Sequence, residues 1–334
     1  MARYDLYAIG NALVDSEYRV SDAQLESMGV AKRHMTLIDD ARRAELLSAV
    51  RGISTRQSGG GSAGNTVVAL AQLGGAGFYS CCVANDELGA FYRDDLAANG
   101  VDSNLAQGHF ASGQTGCCMV MVTPDAERSM STFLGVSTQL DPAALRFDAL
   151  VASKIYYMEG YLAASPTGLN AALEGRAAAK QAGVALAATL SDMSMINFCR
   201  AGLDAMVGDG IDYLFCNEEE SQTWCGTQDL DAICRQMGTL ARVVCLTRSA
   251  KGCIVIEGGA QTSVPSSPVK AVDTNGAGDM FAGAFLHAVT HGYAHTQAAA
   301  LANQAAALVV SQYGSRLNAE GVAALRALFA QHQP

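Results

Sequence analysis

The sequence has little charge and no long hydrophobic run. Only 16% of its 334 residues are charged, the formal net charge is −10, and the longest basic runs are the pairs Lys32-Arg33 and Arg42-Arg43. This composition excludes the basic surface that nucleic-acid-binding proteins require. No stretch of about 18 apolar residues predicts a membrane span, and the first residues lack the apolar core of a signal peptide. We therefore expect a cytoplasmic protein that binds neither nucleic acid nor membranes.

Other common site patterns are also missing. Ten cysteines occur, but none has C-x-x-C spacing, and apolar contexts such as that of Cys245 favour buried free thiols over a zinc site or disulfides. Neither a P-loop nor a protein-kinase catalytic loop is present, which excludes those two phosphate-handling classes. Half of the residues are hydrophobic, so the chain can form a large core.

Short apolar runs alternate with helical stretches along most of the chain. Strands are predicted at residues 4–9, 77–83, 154–158, 184–189, 213–216, 243–246 and 253–257. Helices are predicted at residues 63–73, 88–99, 168–182, 230–240 and 279–290, and through 295–333 with a break near Gly314-Ser315. This alternation predicts an α/β fold whose mostly parallel central sheet carries helices on both faces.

Two segments, 11–39 and 115–134, depart from that rhythm. Both are rich in Val, Met and Thr with partly alternating polarity, which predicts a small, mostly antiparallel sheet acting as a lid. Since no Pro/Gly/Ser-rich linker divides the chain, we expect one domain over residues 1–334 that includes this lid.

The most informative motif is the glycine-rich run Asp-Thr-Asn-Gly-Ala-Gly-Asp at residues 273–279, which leads directly into an apolar helix. Such a turn presents unpaired N–H groups and the positive end of the helix dipole, so it binds anions. Asp279 then lies beside the anion site, where its carboxylate can take a proton from an attacking hydroxyl. Asp also caps helices, but the flanking acid and the small residues favour the catalytic interpretation.

A second glycine-rich run, Ser-Gly-Gly-Gly-Ser-Ala-Gly-Asn at residues 58–65, contains the G-x-G-x-x-G pattern of dinucleotide-binding turns. That pattern requires a buried strand before it, whereas residues 51–57 are polar and predict a poor strand. A nicotinamide-dependent oxidoreductase is therefore a minor alternative. The glycines instead favour close approach of the backbone to a hydroxylated ligand, with Asn65 hydrogen-bonded to it.

Two further motifs follow predicted strands. Asn217 and Glu220 begin and end the run Asn-Glu-Glu-Glu, at a strand end where open α/β sheets bind ligands. Glu220 can hold Mg²⁺ through water, although a solvated helix start is the alternative. Asn11 and Asp15 follow the first strand and can bind vicinal hydroxyl groups, or they can form a plain turn.

Together these motifs resemble the ribokinase-like (PfkB) family of carbohydrate and nucleoside kinases over essentially the whole chain. The run at 273–279 is highly specific for the family, and its Asn275 is most similar to the adenosine kinases within it. The resemblance implies a three-layer α/β fold with a small β-sheet lid. It also implies ATP as phosphate donor, Mg²⁺ as cofactor, activation by K⁺ in some members, and a monomer or homodimer.

The resemblance implies roles for the candidate residues. Asp279 would be the catalytic base, the N–H groups of Gly276, Ala277 and Gly278 would form the anion hole, and Arg128 would reach the ATP phosphates. The substrate would be bound by Asn11, Asp15, Gly60, Gly61 and Asn65, and its base by Glu159 and Tyr161. The nucleotide site would comprise Asn217, Thr247, Gly252 and Asn303, with Mg²⁺ near Glu220 and a monovalent cation near Asp273 and Asn275.

One position departs from the family pattern. The Thr-x-Gly-x-x-Gly element runs from Thr247 to Gly252 and has Ser249 at its middle glycine. A side chain there is expected to narrow the nucleotide pocket.

The sequence thus predicts an ATP-dependent kinase acting on the 5′-hydroxyl of a nucleoside, with adenosine as the expected substrate. A sugar kinase acting on ribose or a ketohexose shares the mechanism, and the sequence does not separate the two. A ligand sensor without turnover is a third alternative, which the intact Asp279 disfavours.

Overall fold

The computed structural model describes residues 2–53, 55–108, 110–125 and 127–332. Its strands, in chain order, are β1 (Tyr4–Ile9), β2 (Leu13–Arg19), β3 (Met35–Leu37), β4 (Thr55–Gly60), β5 (Gly77–Ser80), β6 (Val101–Ser103), β7 (Gly116–Val122), β8 (Arg128–Phe133), β9 (Ser153–Glu159), β10 (Ala185–Thr189), β11 (Ile211–Asn217), β12 (Ala241–Thr247), β13 (Cys253–Glu257) and β14 (Ala260–Val264). Its helices are α1 (Asp22–Ser27), α2 (Asp40–Ala49), α3 (Ser62–Gln72), α4 (Glu87–Ala98), α5 (Phe147–Val151), α6 (Pro166–Ala182), α7 (Met193–Phe198), α8 (Arg200–Val207), α9 (Glu218–Cys225), α10 (Leu230–Met237), α11 (Ala277–Thr290), α12 (His295–Val310) and α13 (Ala319–Gln331).

Nine strands form the main sheet in the order β14-β13-β12-β11-β10-β9-β1-β5-β6. The strands from β12 to β6 are parallel, and β13 and β14 run antiparallel at one edge. One hydrophobic core lies under α3, α4 and α11–α13, and a second lies under α5–α10 on the opposite face. Because both faces are covered, the parallel strands are apolar almost throughout. The predicted three-layer α/β fold is confirmed.

Five strands form a second, smaller sheet in the order β3-β8-β7-β2-β4. It has its own small core, which includes Tyr18, Leu25, Leu46, Met119 and Met121 under α1 and α2. Four of its strands lie in the predicted segments 11–39 and 115–134, whereas β4 lies outside them; Ala126 of the second segment is outside the described residues. The expectation of a mostly antiparallel sheet is wrong, since two of its pairings, β2–β7 and β3–β8, are parallel. These pairs join distant parts of the chain, and such long connections permit parallel pairing.

Strand β4 is a second correction, because residues 51–57 predicted a poor strand. Its polar sequence, Thr-Arg-Gln-Ser-Gly-Gly, pairs with β2 alone at the edge of the small sheet. An edge strand held by backbone hydrogen bonds needs no hydrophobic pattern. Strands β6 and β14 at the two edges of the main sheet were also missed.

The helical segment predicted at the carboxyl-terminal end is confirmed, but its break is longer than expected. Helices α12 and α13 are separated by residues 311–318, which include Gly314 with φ of +95°. The predicted end of this segment, Gln333, lies outside the described residues, as do Met1 and Pro334 of the predicted domain. Within the described ranges, no helix is long and apolar enough to cross a membrane.

Candidate active site

A cavity of about 550 Å³ lies between the two sheets. Five consecutive parallel strands of the main sheet deliver side chains to it at or just beyond their carboxyl ends: Asn11 after β1, Glu159 on β9, Thr189 on β10, Asn217 on β11 and Thr247 on β12. Open α/β sheets bind ligands at this edge. The second sheet supplies the opposite wall.

Asp279 lies in the first turn of α11 and faces this cavity. Its carboxylate accepts two hydrogen bonds, from Ser62 Oγ to Oδ1 at 2.7 Å and from Asn65 Nδ2 to Oδ2 at 2.9 Å. Burial raises the pKa of Asp279 to about 6, although the two hydrogen bonds act in the opposite direction and lower it. A carboxylate held in place with a pKa near neutrality is suited to act as a general base. Ser62 was not among the site residues predicted from the sequence.

The glycine-rich turn before α11 leaves backbone donors free. Among the described residues, no acceptor takes the N–H groups of Gly276, Gly278 or Asp279, whereas Ala277 N donates a long bond of 3.4 Å to Thr274 O. Free amides at a helix N-terminus form an anion site. The predicted anion hole therefore changes by one donor. Asp279 N is available in place of Ala277 N, which is partly engaged.

Asp15 faces the same cavity from β2, and none of the described residues donates a hydrogen bond to it. Burial raises its pKa to about 6, and Arg316 and Arg128 oppose that effect. Gly60 makes room for it, because a Cβ at Gly60 would lie 2.7 Å from Asp15 Oδ1. Gly60 itself does not line the cavity. A carboxylate without protein partners beside the base can bind substrate hydroxyl groups.

Glu159 has a different position from the one that recognition of a purine base requires. Its side chain is fully buried, and its two oxygens accept the N–H groups of Asn11 at 2.7 Å and Ala63 at 2.8 Å. Burial raises its pKa to about 7. We infer that Glu159 joins the turn after β1 to the start of α3. Gly61, with φ of +87°, completes this joint, since a side chain there would clash with Asn11 O.

Asn217 and Glu220 lie in the cavity wall and cap α9. Asn217 Oδ1 accepts from Glu220 N at 2.8 Å, and the Glu220 carboxylate accepts from Asn217 N at 3.0 Å and from Asn217 Nδ2 at 2.6 Å. Burial raises the pKa of Glu220 to about 7, and the charges of Asp192 and Glu219 add to the increase. A nearby cation stabilises the ionised form of such a buried carboxylate.

Two predicted nucleotide-site residues lie behind the cavity wall. Asn303 is buried on α12, and its Nδ2 donates to Val264 O at 3.0 Å and Pro265 O at 3.2 Å. Gly252, with φ of +84°, packs so closely on Val264 O that a side chain would clash. Both residues hold the chain after β14 in place. Neither lines the cavity, and their expected place at the nucleotide site stays a prediction.

Ser249 adopts the backbone conformation of the glycine that it replaces. Its φ is +51°, in the left-handed region that glycine occupies without cost. Ser249 is exposed and lies outside the cavity lining, and the expected narrowing of the nucleotide pocket stays a prediction.

Arg128 and Asp273 contact each other. Arg128 on β8 forms ion pairs with Glu17, at 2.9 Å, and with Asp273. The Asp273 carboxylate also accepts N–H groups from Asn275 at 3.1 Å and Gly314 at 2.8 Å. Arg128 thus lies outside the cavity lining, and its expected contact with the ATP phosphates stays a prediction. The Asp273 side chain is likewise occupied, so a monovalent cation near Asn275 remains a prediction that depends on backbone oxygens.

The remaining wall is apolar and was not predicted from the sequence. Tyr161 lines the cavity as expected, and its hydroxyl donates a long bond of 3.5 Å to Ser191 O. The additional apolar side chains are Met35, Leu37, Met130, Leu134, Ala164 and Met195. Three of them, Met35, Leu37 and Met130, come from the second sheet. Such a surface suits a flat base better than a free sugar.

Comparison with known proteins identifies the family. The model of the pfkB family carbohydrate kinases matches residues 23–320. The chain belongs to this family. Its membership confirms the expected class, an ATP-dependent kinase whose acceptor is an alcohol and whose reaction uses a divalent metal ion.

Relatives extend over nearly the whole chain. The crystal structure of adenosine kinase from Sinorhizobium meliloti is 34% identical, with a TM-score of 0.86, and covers 98% of this chain and 100% of its own. A probable sugar kinase from Rhizobium etli CFN 42 is 33% identical, with a TM-score of 0.86, and covers 99% of both chains. Adenosine kinase from Schizophyllum commune is 26% identical over 94% of this chain and 97% of its own.

Proposed function

We propose that this kinase transfers the γ-phosphoryl group of ATP to the 5′-hydroxyl of adenosine. The observation that carries the proposal is the pairing, in one cavity, of an oriented carboxylate at Asp279 with the free amides of Gly276, Gly278 and Asp279. Adenosine is the acceptor of choice because the cavity has an apolar wall and because the relatives from Sinorhizobium meliloti and Schizophyllum commune are adenosine kinases.

In the proposed reaction, Asp279 accepts the proton of the 5′-hydroxyl as the oxygen attacks the γ-phosphorus. The new P–O bond forms while the bond to the β-phosphate oxygen breaks, giving AMP and ADP, and Asp279 later releases its proton to water. The free amides at the start of α11 stabilise the negative charge on the transferring group, since they are fixed before the reaction begins. Asp15 and Asn11 hold the ribose hydroxyl groups.

The residues around Glu220 fit a divalent ion. Glu220 and Asp192 both line the cavity, and a nearby cation would counter the burial and the repulsion from Asp192 that raise the pKa of Glu220. Within the described residues, no group of three or more His, Cys, Asp or Glu side chains is placed to hold a metal by itself. Glu220 and Asp192 would therefore hold Mg²⁺ through water while the ATP phosphates supply further ligands. When bound, the ion neutralises phosphate charge.

The second sheet acts as a lid in this proposal. It contributes Met35 and Leu37 from edge strand β3 to the cavity, although both side chains are more than half exposed. A bound base covers them, and closure of the sheet excludes water that would otherwise take the phosphoryl group.

The free thiols of all ten cysteines fit a reducing compartment such as the cytoplasm.

Turnover is expected to fall as the pH decreases through about 6. Asp279 acts as a base only when ionised, and its raised pKa of about 6 places the loss there and not near pH 4. The measurement is kcat at saturating substrates across this range, with activity regained on return to neutral pH as the control. A flat profile down to about pH 4.5 contradicts a base with this pKa.

The acceptor is tested by ADP release with Mg·ATP and a panel of adenosine, inosine, guanosine, cytidine, ribose, fructose and tagatose. A clear preference for adenosine is expected. Turnover of a free sugar alone favours the second candidate, a sugar kinase, which the relative from Rhizobium etli CFN 42 supports. That result leaves the role of Asp279 unchanged.

A further inference from the structure

Four side chains form a hydrogen-bonded series that ends at the base. On α4, Asp95 forms an ion pair with Arg316 Nη1. Arg316 Nε donates to Asn65 Oδ1 at 2.9 Å, and Asn65 Nδ2 donates to Asp279 Oδ2 at 2.9 Å. The Arg316 side chain is 9% exposed and Asn65 is 6% exposed. The series is therefore shielded from water, where such contacts are strongest.

Arg316 determines which end of the Asn65 amide faces Asp279. A guanidinium group only donates hydrogen bonds, whereas an amide has one donating and one accepting end. With Oδ1 held by Arg316, Nδ2 must point towards the carboxylate. In the flipped amide, two donors would face each other at Arg316 and two acceptors at Asp279. Without Arg316, the Asp279 carboxylate alone would oppose the flipped amide, since the other contact to Oδ1, from Ser315 Oγ, is 3.4 Å long.

Gly59 provides an independent indication that this ion pair is a built feature. A Cβ at Gly59 would clash with Asp95 Oδ2 and would lie 2.7 Å from Arg316 Nη1. The backbone of β4 thus passes directly over the ion pair, and a side chain at Gly59 would displace one of its two partners. This explains a glycine that the sequence analysis assigned to a ligand-binding turn.

We propose that Arg316, held by Asp95, is a positioning residue that orients Asn65 and through it the base Asp279. The inference rests on the proposed kinase activity. Arg316 and Asp95 do not touch the reacting atoms, so their role lies beyond the residues of the proposed reaction.

Arg316 also acts through its charge. Its positive charge lowers the pKa of Asp279 and of Asp15, against the burial that raises both. Asp15 and Asp279 also act on each other, and the other charged or titratable groups coupled to them, from the elements packed around them, are Arg128, Glu159, Tyr157, Tyr161, Cys117 and Cys118. Removing Arg316 therefore takes away a charge that favours the ionised form of Asp279, so that the base protonates at higher pH.

The test compares Arg316→Gln with Arg316→Lys in kcat–pH profiles, using the acceptor that the unmodified enzyme prefers. For Arg316→Gln, kcat is expected to fall roughly 10- to 100-fold through misplacement of the base, and the acid limb should move to higher pH. Arg316→Lys keeps the charge and loses the Nε contact, so kcat should fall while the acid limb stays near its original position.

Arg176→Gln is the matched control. Arg176 has a 14% exposed side chain and pairs with Asp209 at 2.7 Å, and it lies outside the cavity lining. Its loss should leave kcat and the acid limb unchanged. If Arg316→Gln does not fold, Asp95→Asn and Arg316→Lys decide, and each must lower kcat. Adding Arg316→Lys to Asn65→Ala should then cost nothing further.

Unchanged kcat and an unchanged acid limb in folded Arg316 variants overturn this inference alone. So does full additivity of Arg316→Lys with Asn65→Ala, which shows that Arg316 does not act through Asn65. An unmodified protein that turns over no alcohol of the panel contradicts the proposed function itself, and the positioning role falls with it.

Discussion

Asp279→Asn is expected to lower kcat by roughly 10²- to 10⁴-fold while adenosine still binds. The amide cannot accept the proton of the 5′-hydroxyl, but it has the size of the carboxylate that it replaces. Kinetics under saturating substrates measure the first effect, and a direct binding titration measures the second.

This variant should fold, because its neighbours can adapt. Asn65 Nδ2 can still donate to the Oδ1 atom of the new amide, and the Ser62 hydroxyl, now a donor to Asp279 at 2.7 Å, can rotate to accept instead. Asp212→Asn is the matched control, since Asp212 accepts from Leu186 N at 2.9 Å outside the cavity. Near-normal turnover in Asp279→Asn would remove Asp279 from the role of base.

Gly278→Ala should separate stability from activity. Gly278 is exposed within α11, and a Cβ there meets no atom within 4 Å. Alanine in a helix is more stable than glycine by roughly 0.5–1 kcal/mol, so the free energy of unfolding should rise. The open space, however, is the proposed position of the transferring phosphoryl group. We therefore expect kcat/KM for ATP to fall by roughly 10²-fold.

Gly276→Ala is the contrasting variant two residues away. Gly276 has φ of +77°, and a Cβ would lie 2.5 Å from Ser315 O. Both the backbone and the contact oppose a side chain, so the unfolding free energy should fall by roughly 1–3 kcal/mol together with activity. Thermal melts and ATP kinetics on the pair are decisive: full activity in Gly278→Ala would show that phosphate does not approach this turn.

Much of the fold was predictable because buried parallel strands carry a strong signal. The runs that became β1, β9 and β11 are apolar almost throughout, which follows from cover on both faces of the sheet. The residues at their carboxyl ends converge on the cavity for the same geometric reason. The glycine-rich run before α11 was equally informative, since few other structures require it.

The contacts that arise from tertiary structure were not predictable. Strand β4 has no hydrophobic pattern, and Arg316 and Asp95 are 221 positions apart in the chain. Gly60 and Gly252 were selected for contacts with ligand, yet their lack of a side chain accommodates Asp15 and Val264 O. Glu159 was assigned to a base, whereas burial commits it to backbone N–H groups. In each case the partner comes from another element, and no local spacing reveals it.

The central claim is tested most directly by ³¹P NMR of the product formed from adenosine and Mg·ATP. The account predicts a new phosphomonoester signal split into a triplet by the two 5′ protons, in an amount equal to the ADP formed. A doublet would place the phosphate on a secondary hydroxyl. Inorganic phosphate alone, or no product while a free sugar is phosphorylated, would contradict the assignment of adenosine as the acceptor.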